Sequence, residues 1–323
     1  MEASQIQIPT IVMNKELMKL NEDSEERKTF ARKIREACEN YGCFLIDSAM
    51  ISEEEQHRFF TSSKEFFALP VNIKKQYGMK PKLWHGGYVG INPYITQESF
   101  GVYGLPDDEI RSLAGHICSE YLFGMKIDSE VNQSMKMKLM DVLLSVMELT
   151  FEDLGISDYY NKHAENVTCL MRSLKDKLLP KNNDEKPTQG PMPHVDHSIL
   201  SILYHNGIQG VEILSNDGEW ARVTIPKGSL LVTVGDAFEV WSNGKFRAVK
   251  HRGTVHAGDK DKYTCVLFML PKDGVMMEVP PELVAEGDSP LFRSFVYSDY
   301  LEKHSMDPNV EAIKVFAGVN GVV

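Results

Sequence analysis

Cysteine and long apolar runs are scarce in this sequence of 323 residues, and its 35 lysines and arginines are outnumbered by 46 aspartates and glutamates. The five cysteines are odd in number and include no Cys-x-x-Cys pair, which argues against a disulfide framework and a structural zinc site. The formal net charge of −11 disfavours binding to nucleic acid or an anionic membrane, because both need a basic surface. No apolar run approaches the ~18 residues of a membrane span, and no secretory signal is visible. We therefore expect a cytoplasmic protein with no nucleic-acid or membrane partner.

Helical patterns dominate the first half of the chain. Apolar residues recur at helical spacing from Phe30 to Cys38, and Gly42 follows as a stop signal. Ser52 and Glu55 have the spacing of a capping box at the start of a second helix. A third, long helix is predicted over about 129–154.

A stretch rich in glycine and aromatic residues lies between these helices, at about 80–104. This composition predicts an irregular loop above a pocket. Trp84, His85, Tyr88 and Phe100 are candidates for contact with a substrate, and packing in the core or in the loop is the alternative for each of them.

The second half changes to short strands separated by turns such as Asn206-Gly207 and Asn243-Gly244, which predicts a sandwich or a barrel. The predicted strands are 167–174, 199–204, 211–214, 220–224, 229–234, 246–250, 263–270 and 276–279. A polar loop is expected at 181–190 and a helix at about 299–304. We expect a helical region, 1–160, packed on a β-rich core with a C-terminal helix, 161–323, because no flexible linker separates them.

The triplet His194-Val195-Asp196 is the first chemical signal. On a strand, residues i and i+2 point to the same face, so His194 and Asp196 can address one point in space. His251 follows near another strand, and two imidazoles with one carboxylate can occupy one face of an octahedral Fe(II), leaving three positions open. The nearby histidines that compete for this role are His197, His205 and His256.

Several segments, in order along the chain, resemble the plant-type 2-oxoglutarate- and Fe(II)-dependent dioxygenases of the isopenicillin N synthase-like superfamily. They are KIREACENYGCFLI, KEFFALPVNIKKQY, GGYVG, PHVDHSILSIL and VTVGDAFEVWSNGKFRAVKHRG. The resemblance implies a double-stranded β-helix (jelly roll) flanked by helices. It also implies Fe(II) on His194, Asp196 and His251, with 2-oxoglutarate, dioxygen and a small molecule as reactants and ascorbate as a candidate reductant.

The sequence departs from this family where the far carboxylate of 2-oxoglutarate is held. The family has Arg-x-Ser on a strand after the distal histidine, whereas this chain has Lys262 and Thr264. The two residues share a strand face and can still bind a carboxylate, although lysine lacks the bidentate fork of arginine. A solvated surface lysine is the alternative. The family's tyrosine near the first core strand is absent from 171–176.

The resemblance predicts an oxygenase that hydroxylates, demethylates or desaturates a small plant metabolite or hormone and releases succinate and CO2. Two alternatives are an iron oxidase that does not use 2-oxoglutarate and a catalytically silent relative that only binds a ligand. Asp236 and Arg252 are expected to support the site without binding metal, and an ordinary structural ion pair or turn contact is the alternative for both.

Overall fold

The computed structural model describes residues 4–13, 16–47, 50–76, 78, 86–91, 97–103, 129–176, 188–189, 192–255, 260–306 and 312–319. The strands are β1 (Ser4–Ile6), β2 (Thr10–Val12), β3 (Cys43–Asp47), β4 (Gly87–Val89), β5 (Gln97–Tyr103), β6 (Val167–Asp176), β7 (Thr188–Gln189), β8 (Leu200–His205), β9 (Val211–Leu214), β10 (Trp220–Val223), β11 (Leu230–Val234), β12 (His251–Val255), β13 (Tyr263–Pro271), β14 (Met276–Met277) and β15 (Phe295–Val296). The α-helices are α1 (Glu25–Asn40), α2 (Glu53–Ala68), α3 (Val71–Lys75), α4 (Ser129–Asp153), α5 (Tyr159–Glu165), α6 (Asp236–Trp241), α7 (Tyr297–Met306) and α8 (Ala312–Ala317).

Two facing sheets form the centre of the molecule. The larger has the strand order β2-β3-β11-β8-β13-β6-β5-β4, and the smaller has the order β1-β10-β9-β12-β7. Neighbouring strands are antiparallel from β3 to β4 in the larger sheet, and the pairs β2–β3 and β1–β10 are parallel. Side chains from both sheets line one cavity between them, inside the β-core.

The helices of the N-terminal half cover the outer face of this core, as the sequence predicts. Helix α1 starts at the N-cap Ser24 and buries Phe30 and Ile34. The predicted capping box of α2 is present, because Ser52 and Glu55 each accept the other's backbone N–H. Arg27 of α1 donates to Glu152 of α4 at 2.9 Å, which joins the two helices by a buried charge-assisted bond.

The strand predictions for the second half are confirmed except at 246–250. That segment is irregular, and the strand begins only at His251, where pairing with β9 starts. The first half also contributes β3, which the resemblance of KIREACENYGCFLI to the family's first helix and strand implies, and β1, β2, β4 and β5, which the sequence did not indicate. In particular, the predicted loop at 80–104 contains the antiparallel pair β4 and β5 within its described part. The helix α7 confirms the predicted C-terminal helix.

The boundary between a helical region, 1–160, and a β-core, 161–323, stays a prediction, and strands from both regions take part in each of the two facing sheets. No helix in the described ranges is long and apolar enough to cross a membrane.

Candidate metal centre and adjoining cavity

The backbones of His194 and His251 pair directly. The N–H of His194 donates to the carbonyl of His251 at 3.0 Å, and the N–H of His251 donates back at 2.9 Å. The expectation that His194 and Asp196 lie on a strand is wrong, because His194 forms only an isolated bridge and 195–199 is irregular. The two side chains nevertheless converge, because this bridge and the bend after it replace the alternation of a strand.

One nitrogen of each histidine and one carboxylate oxygen meet at a common point. The His194 Nε2 lies 3.6 Å from the Asp196 Oδ1, and the His251 Nε2 lies 3.8 Å from it. All three ligand atoms lie within 4.8 Å of one another. The Nδ1 atoms are occupied, since His194 Nδ1 lies 2.7 Å from the Met192 carbonyl and His251 Nδ1 lies 3.1 Å from the Val249 carbonyl. These bonds fix the tautomer in which each Nε2 lone pair faces the common point.

The electrostatics of the three groups suit a divalent cation. Burial would raise the pKa of Asp196, but the charges of His251 and His194 hold it well below its usual range, so the carboxylate is ionised. Burial lowers the pKa of His251, which favours the neutral imidazole that a metal requires. Burial also acts to lower the pKa of His194, but the attraction of Asp196 raises it overall. Two imidazoles and one carboxylate on one side of an open cavity fit Fe(II) with free coordination positions.

A buried network lies behind Asp196. The Asp236 N–H donates to the Asp196 carbonyl at 2.9 Å, and the Asp236 carboxylate binds His197 Nδ1 at 2.8 Å and the Tyr300 hydroxyl. Gly235 makes this close packing possible, because a Cβ there would lie 1.9 Å from the Ser198 carbonyl oxygen. The network holds the backbone of 196–199 against α6 and keeps the His197 ring out of the cluster of ligand atoms.

The triad lines a cavity of about 200 Å³ between the two sheets. Its walls are largely apolar, with Leu174, Leu203, Val211 and Val266 among the lining side chains. The cavity also reaches a second polar region, which the ends of β6, β8 and β13 form and whose polar residues are Asp176, His205, Lys262 and Thr264.

Lys262 and Thr264 line this second region, as the resemblance implies, but Lys262 is not a solvated lysine. Its side chain is 12% exposed, and its Nζ lies 3.0 Å from the Asp176 Oδ2 in a buried ion pair. Gly210 leaves room for the ammonium, because a Cβ there would lie 2.9 Å from the Lys262 Nζ. A cation and a hydroxyl at the end of a cavity that begins at the triad fit the far carboxylate of a 2-oxo acid.

Asp176 is a cavity residue that the sequence did not single out, and the sequence named His205 only as a histidine that competes for the metal. Burial and the neighbouring Lys262 lower the pKa of His205 to about 4, so its ring is neutral at pH 7. Its Nδ1 accepts the Gly207 N–H at 2.9 Å, which leaves the hydrogen on Nε2. The pairing of His205 with Thr264 across β8 and β13 could not be found from local spacing.

The structure does not bring every predicted residue to the cavity. Tyr88 and Phe100 are buried in an aromatic cluster with Phe66, Phe67 and Tyr263, away from the residues that line the cavity. Phe100 pairs with Ser173 and so points to the opposite sheet face from Leu174 and Asp176. Packing therefore accounts for both side chains. Trp84, His85 and His256 lie outside the described residues, so the expectations for them stay predictions.

Arg252 takes the structural role that the sequence left as its alternative. Its Nε donates to the Glu212 carboxylate at 2.8 Å, and its guanidinium stacks on the Trp220 ring at 4.2 Å from the centroid. It follows His251 on β12, so the two side chains leave opposite faces of the strand.

Two family models match this chain. The model of the 2OG-Fe(II) oxygenase superfamily matches residues 161–271. A second model, described as 'non-haem dioxygenase in morphine synthesis N-terminal', matches residues 8–107. Together they cover more than half of the chain.

Known proteins agree with this match. The chain is 28% identical to the probable 2-oxoglutarate-dependent dioxygenase AOP1 of Arabidopsis thaliana over 271 residues, which cover 83% of this chain and 87% of that protein. It is 27% identical to gibberellin 3-beta-dioxygenase 3 of Arabidopsis thaliana over 288 residues, which cover 83% of this chain and 78% of that protein.

The fold has also been seen before. The crystal structure of the dioxygenase for auxin oxidation in rice superposes on this chain with a TM-score of 0.75 and 22% identity, over 97% of this chain and 100% of that one. The core is therefore the jelly roll that the resemblance implies. The chain belongs to the 2OG-Fe(II) oxygenase superfamily and is a 2-oxoglutarate-dependent dioxygenase that uses iron.

Proposed function

We propose that this enzyme hydroxylates, demethylates or desaturates a small plant hormone or specialised metabolite and converts 2-oxoglutarate to succinate and CO2 in the same cycle. The observation that carries the proposal is the single cavity that joins the His194, Asp196 and His251 cluster to the buried cation Lys262. The names of the relatives support the substrate class, since one of them is a gibberellin dioxygenase.

In this proposal His194, Asp196 and His251 hold Fe(II) through two neutral imidazoles and one ionised carboxylate. The carbonyls of Met192 and Val249 orient the two rings, and the Asp236 N–H fixes the backbone of Asp196. Bound Fe(II) together with 2-oxoglutarate supplies the activation of dioxygen. The protein's own part is ligation, orientation and the exclusion of water by the apolar walls.

Lys262 and Thr264 bind the far carboxylate of 2-oxoglutarate in the same proposal. Both lie on one face of the β13 region, beside His205, and both line the cavity. An ammonium and a hydroxyl give charge-assisted hydrogen bonds to a carboxylate. The distance between this region and the triad then sets which 2-oxo acid can reach both. Ascorbate as a reductant stays a prediction.

A panel of plant hormones and metabolites tests this function. Each compound is incubated with the Fe(II)-loaded enzyme, 2-oxoglutarate and oxygen, and succinate and products are followed by mass spectrometry. We expect one compound to stimulate succinate formation and to gain an oxygen atom, lose a methyl group or lose two hydrogen atoms. The His251→Ala enzyme is the matched blank. Product formation without succinate would contradict the proposal and favour the alternative of an iron oxidase that does not use 2-oxoglutarate.

A further inference from the structure

Asp176 occupies a place where a second carboxylate is expected to arrive. Its side chain is 5% exposed, and its Oδ2 already takes the Lys262 ammonium at 3.0 Å. Its Oδ1 is buried and has no hydrogen-bond partner among the described residues. A buried carboxylate oxygen without a hydrogen bond costs folding free energy, so this atom can gain a hydrogen bond from a proton or a donor that enters the cavity.

His205 lies in the same region. Its Nε2 is buried and makes no hydrogen bond of good geometry within the described part of the chain. The Ile225 carbonyl accepts from Gln209 Nε2 at 2.8 Å, and it also lies close enough to the His205 ring to act on its pKa, which it raises. His205 and Asp176 both contribute to the cavity lining beside Lys262. The polar end of the cavity thus places the unpaired Asp176 Oδ1 and the His205 ring beside Lys262.

The charges at this end balance before any ligand enters. Lys262 and Asp176 neutralise each other, and His205 is neutral because burial and Lys262 lower its pKa to about 4. A far carboxylate would bring a second negative charge to the same ammonium. Two carboxylates that share one buried site cannot both stay ionised without a large energetic cost, and one of them takes a proton.

We propose that Asp176 couples the binding of 2-oxoglutarate to the uptake of a proton: its carboxylate competes for Lys262, so that 2-oxoglutarate binds together with one proton taken from solvent onto the Asp176 Oδ1. The new O–H then donates to the far carboxylate, which Lys262 shares. This inference rests on the proposed placement of 2-oxoglutarate at Lys262.

The other charged groups near Asp176 do not remove the need for this proton. Arg172 faces the same cavity from β6, but it lies four residues away along the strand, on the order of 13 Å. Its guanidinium donates to Ser99 Oγ at 2.5 Å. Three other charged residues lie next to Asp176 in sequence or in the neighbouring strands, but on the opposite face of the sheet. They are Glu98 of β5, Lys175 of β6 and Asp261, just before β13.

Calorimetry on the Mn(II)-loaded enzyme tests the inference without turnover. Titration of 2-oxoglutarate in buffers with different heats of ionisation counts the protons taken up, and the wild-type enzyme should take up about one per ligand. Its Kd should rise with pH, by up to about ten-fold per pH unit. 2-Oxobutyrate has no far carboxylate and should bind without proton uptake.

Asp176→Asn is the decisive variant. It should bind 2-oxoglutarate at least about ten-fold more tightly at mildly alkaline pH, with no proton uptake and a Kd that is flat with pH. Asp261→Asn is the matched control, since Asp261 pairs with Lys175 at 3.5 Å on the other face of the sheet. The Kd of this variant for 2-oxoglutarate should stay within about two-fold of the wild-type value. If Asp176→Asn does not fold, the proton count on the wild-type enzyme still decides.

Two failures can be told apart. Proton-free binding of 2-oxoglutarate to the wild-type enzyme, or unchanged binding to Asp176→Asn, overturns the role of Asp176 alone. No binding to the Mn(II)-loaded wild-type enzyme, or binding that is insensitive to Lys262→Ala, overturns the proposed placement of 2-oxoglutarate and this inference with it.

Discussion

His194 and His251 exchange both of their backbone hydrogen bonds, at 3.0 and 2.9 Å, and their ring centroids lie 4.4 Å apart. This pairing joins an irregular segment to the first residue of β12. The two main-chain hydrogen bonds therefore fix the backbone positions from which both imidazoles project. A substitution of either side chain leaves these bonds in place. The ligand cluster can be dissected by mutation without loss of the scaffold.

We expect alanine at His194, Asp196 or His251 to lower metal affinity by more than about 100-fold, which exceeds the usual loss from removing an outer partner of a ligand. Turnover should disappear while the circular dichroism spectrum stays unchanged. His57→Ala, at an exposed histidine of α2, is the control for a general histidine effect. Full activity of His251→Ala would refute its assignment as a ligand.

Lys262→Ala should raise the Kd for 2-oxoglutarate by roughly ten-fold to 150-fold, because loss of a charge-assisted bond costs ~1.5–3 kcal/mol. Metal affinity should change much less. Lys262→Arg should be tolerated only in part, since the Gly210 backbone already packs closely on the Lys262 ammonium. Calorimetry of the Mn(II)-loaded variants measures both constants. An unchanged Kd in Lys262→Ala would mean that another cation holds the carboxylate.

His205 should make the ligand-free protein sensitive to mild acid. Its pKa is lowered from 6.5 to about 4 in the folded state, so between these pH values the unfolded chain binds a proton that the folded protein does not. The free energy of unfolding should therefore fall by about 3 kcal/mol between pH 7 and pH 4 from this residue alone. His205→Asn keeps an acceptor for the Gly207 N–H and should lack this part of the pH dependence. Urea unfolding measures this free energy for both proteins at each pH. An equal fall in the wild-type protein and in His205→Asn between pH 7 and pH 4 would contradict the low pKa of His205.

Arg252→Met should destabilise the fold by roughly 2–4 kcal/mol, because Glu212 is 4% exposed and would lose its charge partner. Metal affinity should remain within about three-fold, since the side chain points away from the ligand cluster. The double variant Arg252→Met with Glu212→Gln should recover part of the stability. Urea unfolding and a metal titration measure the two effects. A loss of metal affinity at unchanged stability would show that Arg252 acts on the metal centre.

Local sequence determined the four longest helices, α1, α2, α4 and α7, and seven of the fifteen strands in the described part of the chain. The capping box at Ser52 and Glu55, the buried face of α1 and the strand patterns of the second half depend on neighbours within a few residues, so the sequence predicts them. The same holds for the choice of ligands, because His194, Val195 and Asp196 are adjacent, and the resemblance of the segment around His251 supplied the third.

Only the tertiary structure decided how these pieces meet. The register of β6 against the region of β13 places Asp176 beside Lys262, and the register of β8 places His205 beside Thr264. The opposite pleat directions of Phe100 and Leu174 separate the aromatic cluster from the cavity. Such pairings depend on the closure of two sheets around one core, and a shift of one residue would send each of these side chains to the other face. The sequence therefore determined which chemical groups are available, whereas strand register decided that the buried carboxylate of Asp176 pairs with the Lys262 ammonium.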